Sequence, residues 1–173
     1  KGLNTMLSAT LYETAYLVNR SETISGNTKH RQTFKLDGDV NMQFLRGYDP
    51  GWSWLQSVHS VIKPALKYTF IPNTSYRDRP YIDAYDRMKQ ANTITYSFNH
   101  YLYDTSEGGG KREMSFLEVS QTYGLSGNLE SSDLYKGSGS RFSDIEARFT
   151  FSPVSYLSLT HESVWNVSGE GAK

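Results

Sequence analysis

Two aspartates two residues apart, Asp37 and Asp39, are the closest this sequence comes to an acid/base site. On a strand, residues i and i+2 point to one face. Two carboxylates held that close would push one pKa up. Lys35 stands on the same face at the same spacing, and no nucleophile or base is placed beside the pair. The roles that catalysis requires are therefore not filled. His59, Lys63 and Lys67 recur every four residues and also share one strand face. They read as a basic stripe meeting lipid phosphates or sugar hydroxyls, or as a wet wall neutralised by cross-strand pairs. A symmetric turn over 47–53 would bring Lys63 near Asp37. The densest charge cluster runs over 76–87. There Arg77, Arg79 and Arg87 could grip phosphates, and Asp83 and Asp86 could take a divalent cation; the same charges could equally pair with one another and lock the loop. Their spacing is not that of an EF-hand.

Other chemistry is absent at the level of residue types. The 173 residues include no cysteine, which excludes disulfides, Cys-ligated zinc, iron–sulfur clusters and thiol nucleophiles. The histidines show no metal-ligand spacing. The run Glu107-Gly108-Gly109-Gly110-Lys111 lacks the Gly-Lys-Ser/Thr ending of a phosphate loop and reads as a turn. No cofactor is implied. With 18 basic and 18 acidic side chains the formal charge is zero, which argues against a nucleic-acid partner.

The elements that would hold these residues read as strands. From Thr33 to Phe44 one face is Thr33, Lys35, Asp37, Asp39, Asn41 and Gln43, and the other is Phe34, Leu36, Gly38, Val40, Met42 and Phe44. This is the period of a half-buried strand. Weaker alternations place Val58, Ile62, Leu66, Tyr68 and Phe70 opposite His59, Lys63, Lys67 and Thr69; Ile94, Tyr96, Phe98 and Leu102 opposite Thr93, Thr95, Ser97, Asn99 and Tyr101, with His100 a misfit; and Ile145, Ala147, Phe149 and Phe151 opposite Asp144, Glu146, Arg148 and Thr150. Leu157, Leu159 and Trp165 alternate with Ser158, Thr160 and Glu162, and a looser first strand runs from Leu7 to Leu17. The stretch Arg112–Tyr123 reads as a strand whose faces the sequence does not assign. Pro64 interrupts a strand and predicts a bulge or weakened pairing, a fixed bulge ahead of a functional hinge.

About seven strands follow, most of roughly 11–15 residues, longer than soluble sheets favour. The connections alternate long and short, as in an up-and-down barrel. Mean hydropathy is −0.58 and no run approaches the roughly 20 apolar residues of a membrane helix. Leu, Ile, Val and Phe total only 37, yet there are 13 Tyr. Few aliphatics and many rings suit a sheet that is apolar on one face and wet on the other. Tyr48, Trp52, Trp54, Tyr101, Tyr103, Tyr156 and Trp165 near strand ends read as an interfacial girdle. The expected fold is all-β, antiparallel and up-and-down. It occupies 1–173 as one incomplete domain of a larger transmembrane β-barrel, with strands missing on both sides because open edges are not tolerated in lipid.

Several stretches carry a family resemblance: "HSVIKPALKYTFIP", "RPYIDAYDR", "NTITYSFNHYL" and "EVSQTYGL". The matching positions are His59, Ile62, Pro64, Tyr68, Pro72, Pro80, Asp83, Asp86, Arg87, Asn92, Ile94, Thr95, Tyr96, Ser97, Ser120, Gln121 and Tyr123, with "ETAYLV" and "FLRGYD" earlier in the chain. In order and spacing they resemble the C-terminal barrel of the outer-membrane LPS-assembly family LptD, also called the organic-solvent-tolerance family. Tyr76, Arg77 and Arg79 depart from the family's loop pattern. The resemblance implies a non-catalytic role in lipopolysaccharide transport in the Gram-negative outer membrane. It implies lipopolysaccharide, outer-membrane lipids, a plug lipoprotein (LptE) and a periplasmic lipopolysaccharide bridge as partners.

On this reading Lys35, Asp37, Asp39, Asn41, His59, Lys63, Lys67, Glu146 and Arg148 face a wet lumen. Arg77, Arg79, Asp83, Asp86 and Arg87 are loop candidates for contact with lipopolysaccharide or the plug. Two rivals are a soluble β-barrel or sandwich that binds a ligand, and an outer-membrane barrel enzyme. The first would turn its apolar face inward; the second needs a convergent His with Asp or Ser.

Overall fold

Alternating sequence becomes one continuous sheet in the computed structural model, which describes residues 2–17, 28–51, 57–73, 90–105, 110–127, 129 and 139–167. Seven strands follow in chain order: β1 (Gly2–Leu17), β2 (Thr28–Tyr48), β3 (Ser57–Ile71), β4 (Ala91–Thr105), β5 (Lys111–Gly124), β6 (Ile145–Val154) and β7 (Leu157–Trp165). Each pairs antiparallel with its sequence neighbour, in the order β1-β2-β3-β4-β5-β6-β7, and β1 and β7 form the two edges. The alternation of long and short connections holds. The chain takes many residues from β1 to β2, β3 to β4 and β5 to β6, and few from β2 to β3, β4 to β5 and β6 to β7. Long connections thus gather at one end of the sheet and short turns at the other. Strand lengths spread more widely than expected, from 9 residues in β7 to 21 in β2.

Register explains where the sequence reading fails. The β2–β3 ladder sets Asp37 opposite Thr69 and Asp39 opposite Lys67. Lys63 is therefore not the partner of Asp37. The connection between Tyr48 and Ser57 is centred further along the chain than a turn at 47–53, which slides β3 past β2 by several residues. Pro64 makes no bulge. The pairing passes from Asn41↔Ala65 to Phe44↔Ile62 without a change of register, and Pro64 itself stays opposite Phe98. A proline without an N–H weakens the ladder at that point but does not bend it. The bulge lies in β5. Leu102 pairs with Ser115, but Tyr103 pairs with Glu113, so Met114 is the extra residue. An extra residue flips every side chain beyond it, which is why Arg112–Tyr123 has no single alternation.

The sheet has little core. Among the described residues the buried apolar side chains are Val61, Ile71, Ala91 and Leu129. Most of the large apolar residues lie instead on one face, and many are exposed, including Leu7, Leu11, Val40, Met42, Leu66, Phe98 and Leu159. Local packing is tight beside the long-connection end. There Ser143 is fully buried, donating to the Asp144 carbonyl and accepting from the Thr122 amide. Gly124 is required next to it: a Cβ would fall 2.5 Å from the Gly127 carbonyl oxygen and 2.9 Å from Leu129 Cδ2.

Candidate functional site

The sheet has two faces of opposite chemistry, and register decides which residue belongs to which. Cα partners share a face. Following them from β2 outward, Lys35, Asp37, Asp39 and Asn41 join Ser8, Lys63, Lys67, Thr69, Thr95, Ser97, Asn99, Glu118, Ser120, Glu146, Arg148 and Glu162. His59 lies on the same face toward the short turns, its ring over Gly47, where an added Cβ would stand 3.6 Å from Nδ1. All nine strand candidates from the sequence are thus on one face. The loop candidates Arg77, Arg79, Asp83, Asp86 and Arg87 lie outside the described residues.

The polar face divides by charge. On β2 and β3, Asp37 is the hub: its carboxylate pairs with Lys35 Nζ at 2.9 Å and Lys67 Nζ at 4.0 Å, and accepts from Thr69 Oγ1 at 2.8 Å. Asp39 accepts from Asn41 Nδ2 at 2.9 Å, and Asn41 in turn accepts from Asn4 Nδ2 at 3.2 Å. Neither aspartate is arranged for proton transfer; both are tied into a fixed network. Lys63 has no carboxylate partner among the described residues. Across the sheet the balance reverses. Glu118, Glu146 and Glu162 surround Arg148 in a cleft of about 280 Å³ formed by β5, β6 and β7. Arg148 Nε lies 3.5 Å from Glu162 Oε1. Between the two halves, Thr95 and Thr122 share a hydrogen bond of 2.8 Å, and Asn99 donates to the Lys63 carbonyl.

The opposite face carries Leu7, Leu11, Phe34, Leu36, Val40, Met42, Phe44, Ile62, Leu66, Ile94, Phe98, Val119, Phe149, Phe151 and Leu159. Tyr96 lies among them and donates to Gln121 Oε1. No described segment covers this face, and a contiguous apolar patch of this extent marks an interaction surface.

Near the short turns the two faces exchange character. On the otherwise polar face, Leu45, Val61, Tyr101 and Phe116 stand in register across four strands, with ring centroids of Tyr101 and Phe116 4.9 Å apart. Tyr101 and Tyr103 consequently do not belong to an outward girdle with Tyr48 and Trp165. They share the parity of Asn99, on the polar face. On the apolar face at the same level stand Arg46, Ser60, His100, Asp104 and Arg112. Ser60 Oγ and His100 Nε2 are 2.9 Å apart. Arg112 donates to Asp104 Oδ2 at 3.1 Å and to the Pro153 carbonyl at 2.9 Å, tying β4, β5 and the end of β6 together.

Sequence reasoning passes over this group because each member reads as a lone error in an alternation, as His100 does. Glu118 escapes it for another reason: the extra residue Met114 offsets the start of β5 from the register of Ser115–Gly124, so one template laid from Arg112 does not fit the strand.

The family model LptD, described as LPS transport system D, matches residues 2–172. No curated protein matches the chain. With nearly its whole length matched, and with an all-β sheet of seven antiparallel strands, the chain belongs to the LptD family.

Proposed function

We propose that this chain is a section of wall from a transmembrane barrel of the Gram-negative outer membrane. On this reading it lines the route of lipopolysaccharide without catalysing a reaction. The observation that carries this reading is the single-layer sheet, apolar and uncovered on one face and networked with polar side chains on the other. Lipid would cover the first face and water would fill the lumen against the second, the division expected of outer-membrane barrels. Strands of 9 to 21 residues have the length to cross, since a tilted strand needs roughly 9–11. Membership of the family supports lipopolysaccharide as the cargo. The unpaired edges of β1 and β7 would join further strands of the same wall. The plug lipoprotein LptE and the periplasmic lipopolysaccharide bridge are the partners this role calls for. A soluble ligand-binding module is disfavoured because its apolar face would be turned onto a core, and the described chain provides no second layer.

Val40 and Asn41 test this in the full protein in membranes. They are neighbours on opposite faces of β2. Single cysteines are introduced at each. A lipid-confined probe should label position 40 and a small aqueous thiol reagent position 41. Lack of lipid access at both positions would sink the membrane-wall reading. If the first result holds, photo-crosslinkers at Lys63 and Lys67 should capture lipopolysaccharide during transport.

A further inference from the structure

At the short-turn end the apolar face carries a local group of polar side chains. On β6 and β7 this face stays apolar down to the turn, through Phe149, Phe151, Val154, Leu157 and Leu159. On β2 to β5 it turns polar at the same end, where Arg46 stands opposite Ser60, and Asp104 stands opposite Arg112. A general interfacial belt would have run across all the strands.

Within this group one cation is unspent. Arg112 is neutralised by Asp104. Arg46 has no carboxylate partner among the described residues; its guanidinium lies over the Tyr48 ring, 5.0 Å from the centroid. Stacking orients the planar fork while leaving its N–H donors for a second group, the arrangement in which arginine recognises phosphate. The Ser60–His100 pair continues the polar path toward the middle of the sheet. His100 pairs with Ile62, which is opposite Phe44, two residues deeper along β2 than Arg46. Two residues of strand span about 7 Å, comparable with the separation between a lipid's phosphate and its glycerol esters.

We propose that the outward face at the short-turn end of β2 to β5 is a docking site for one glycerophospholipid of the adjoining leaflet. Arg46 binds the headgroup phosphodiester, and the Ser60–His100 pair meets the glycerol-ester region. The site rests on the membrane-wall reading above. It adds to that reading a fixed lipid at a defined position, held by charge as well as by apolar contact. Phosphate is complementary to the free guanidinium, and the flanking Leu66, Phe44 and Ile62 suit its acyl chains.

The test is native mass spectrometry of the full protein released from mixed micelles containing phosphatidylglycerol or, separately, diacylglycerol. Arg46→Gln should weaken retention of phosphatidylglycerol about tenfold, the size of one charge-assisted hydrogen bond. R46K should restore part of it. Arg141→Gln, an arginine at the opposite end of the sheet, should change nothing. The site is overturned if R46Q retains the phospholipid as the parent does. It is also overturned if diacylglycerol is lost equally, which would mean apolar contact alone. Full competition by inorganic phosphate overturns it too, because the site would then take a free anion. Val40 labelling separates the two levels. A lipid-confined probe reaching position 40 while R46Q is silent removes only the docking site; no reaction at 40 removes the membrane wall beneath it.

Discussion

Val40 and Asn41 are consecutive residues in different environments. Val40 stands opposite Thr5 and Leu66 on the face that carries Phe34, Phe44 and Phe98, and it is 42% exposed with nothing over it. Asn41 faces the other way, donating to Asp39 and accepting from Asn4. A soluble sheet resolves such a contrast by packing its apolar face on a second layer. Here the apolar face is the open one, while the polar face is stitched by side-chain hydrogen bonds. On the proposed membrane-wall reading, the polar side chains position the wall and the apolar side chains match it to a solvent that makes no hydrogen bonds. Stability on one face would then come from what lies outside the protein, and on the other from contacts within it.

Exchanging a charge between these neighbours should break the contrast most sharply. In the full protein folded into phospholipid vesicles, Val40→Arg is expected to cost about 2–4 kcal/mol, the range for arginine facing the bilayer midplane. Asn41→Arg should cost under about 1 kcal/mol, because lumen-side charge stays hydrated. A denaturant titration measures both. Equal losses at the two positions would mean that the faces are not wetted differently.

The next largest effect should lie on the polar face. Asp37→Asn keeps an acceptor for Thr69 but removes the charge that joins Lys35 and Lys67. Lys67 is about half exposed, so water compensates much of the loss. About 1 kcal/mol is expected, as for a partly exposed charge-assisted pair. Asp39→Asn leaves a side chain able to bond Asn41 and removes no ion pair at Asp39 itself, so it should cost less. If Asp39 proves the more costly of the two, the hub has been misplaced.

How much of this was legible beforehand depends on whether strand parity survives along each segment. In β2 no bulge intervenes between Thr33 and Phe44, so alternation alone places Asp37 and Val40 on opposite faces. In β5 one extra residue, Met114, offsets Lys111–Glu113 from the rest of the strand, so a single template laid over Arg112–Tyr123 fails although Ser115–Gly124 keep one parity. Faces are a local property, whereas register depends on how a connection closes. Lys63 was readable as a polar-face residue, but its distance from Asp37 was not, because the link from Tyr48 to Ser57 sets the slide of β3. The group of Arg46, Ser60 and His100 on the apolar face was the least legible. It exists only once three strands are set side by side.

The two halves of the polar face offer the finest comparison. Around Asp37, one acid is shared by two lysines and a hydroxyl and is only 14% exposed at its side chain. At Arg148 and Glu162, one base meets one acid at 3.5 Å with side chains 57% and 68% exposed. Exposed pairs are screened by water and by salt, and each side chain loses conformational freedom to form them. A double-mutant cycle of Arg148→Gln and Glu162→Gln should therefore give a coupling under about 0.5 kcal/mol that vanishes by about 1 M salt. The same cycle on Asp37→Asn with Lys35→Gln should retain most of its coupling at that salt, because the Asp37 side chain is shielded. Equal salt sensitivity in the two cycles would mean that both halves are wetted alike. The division of the face into a tied basic half and an open acidic half would then be one of charge placement and not of environment.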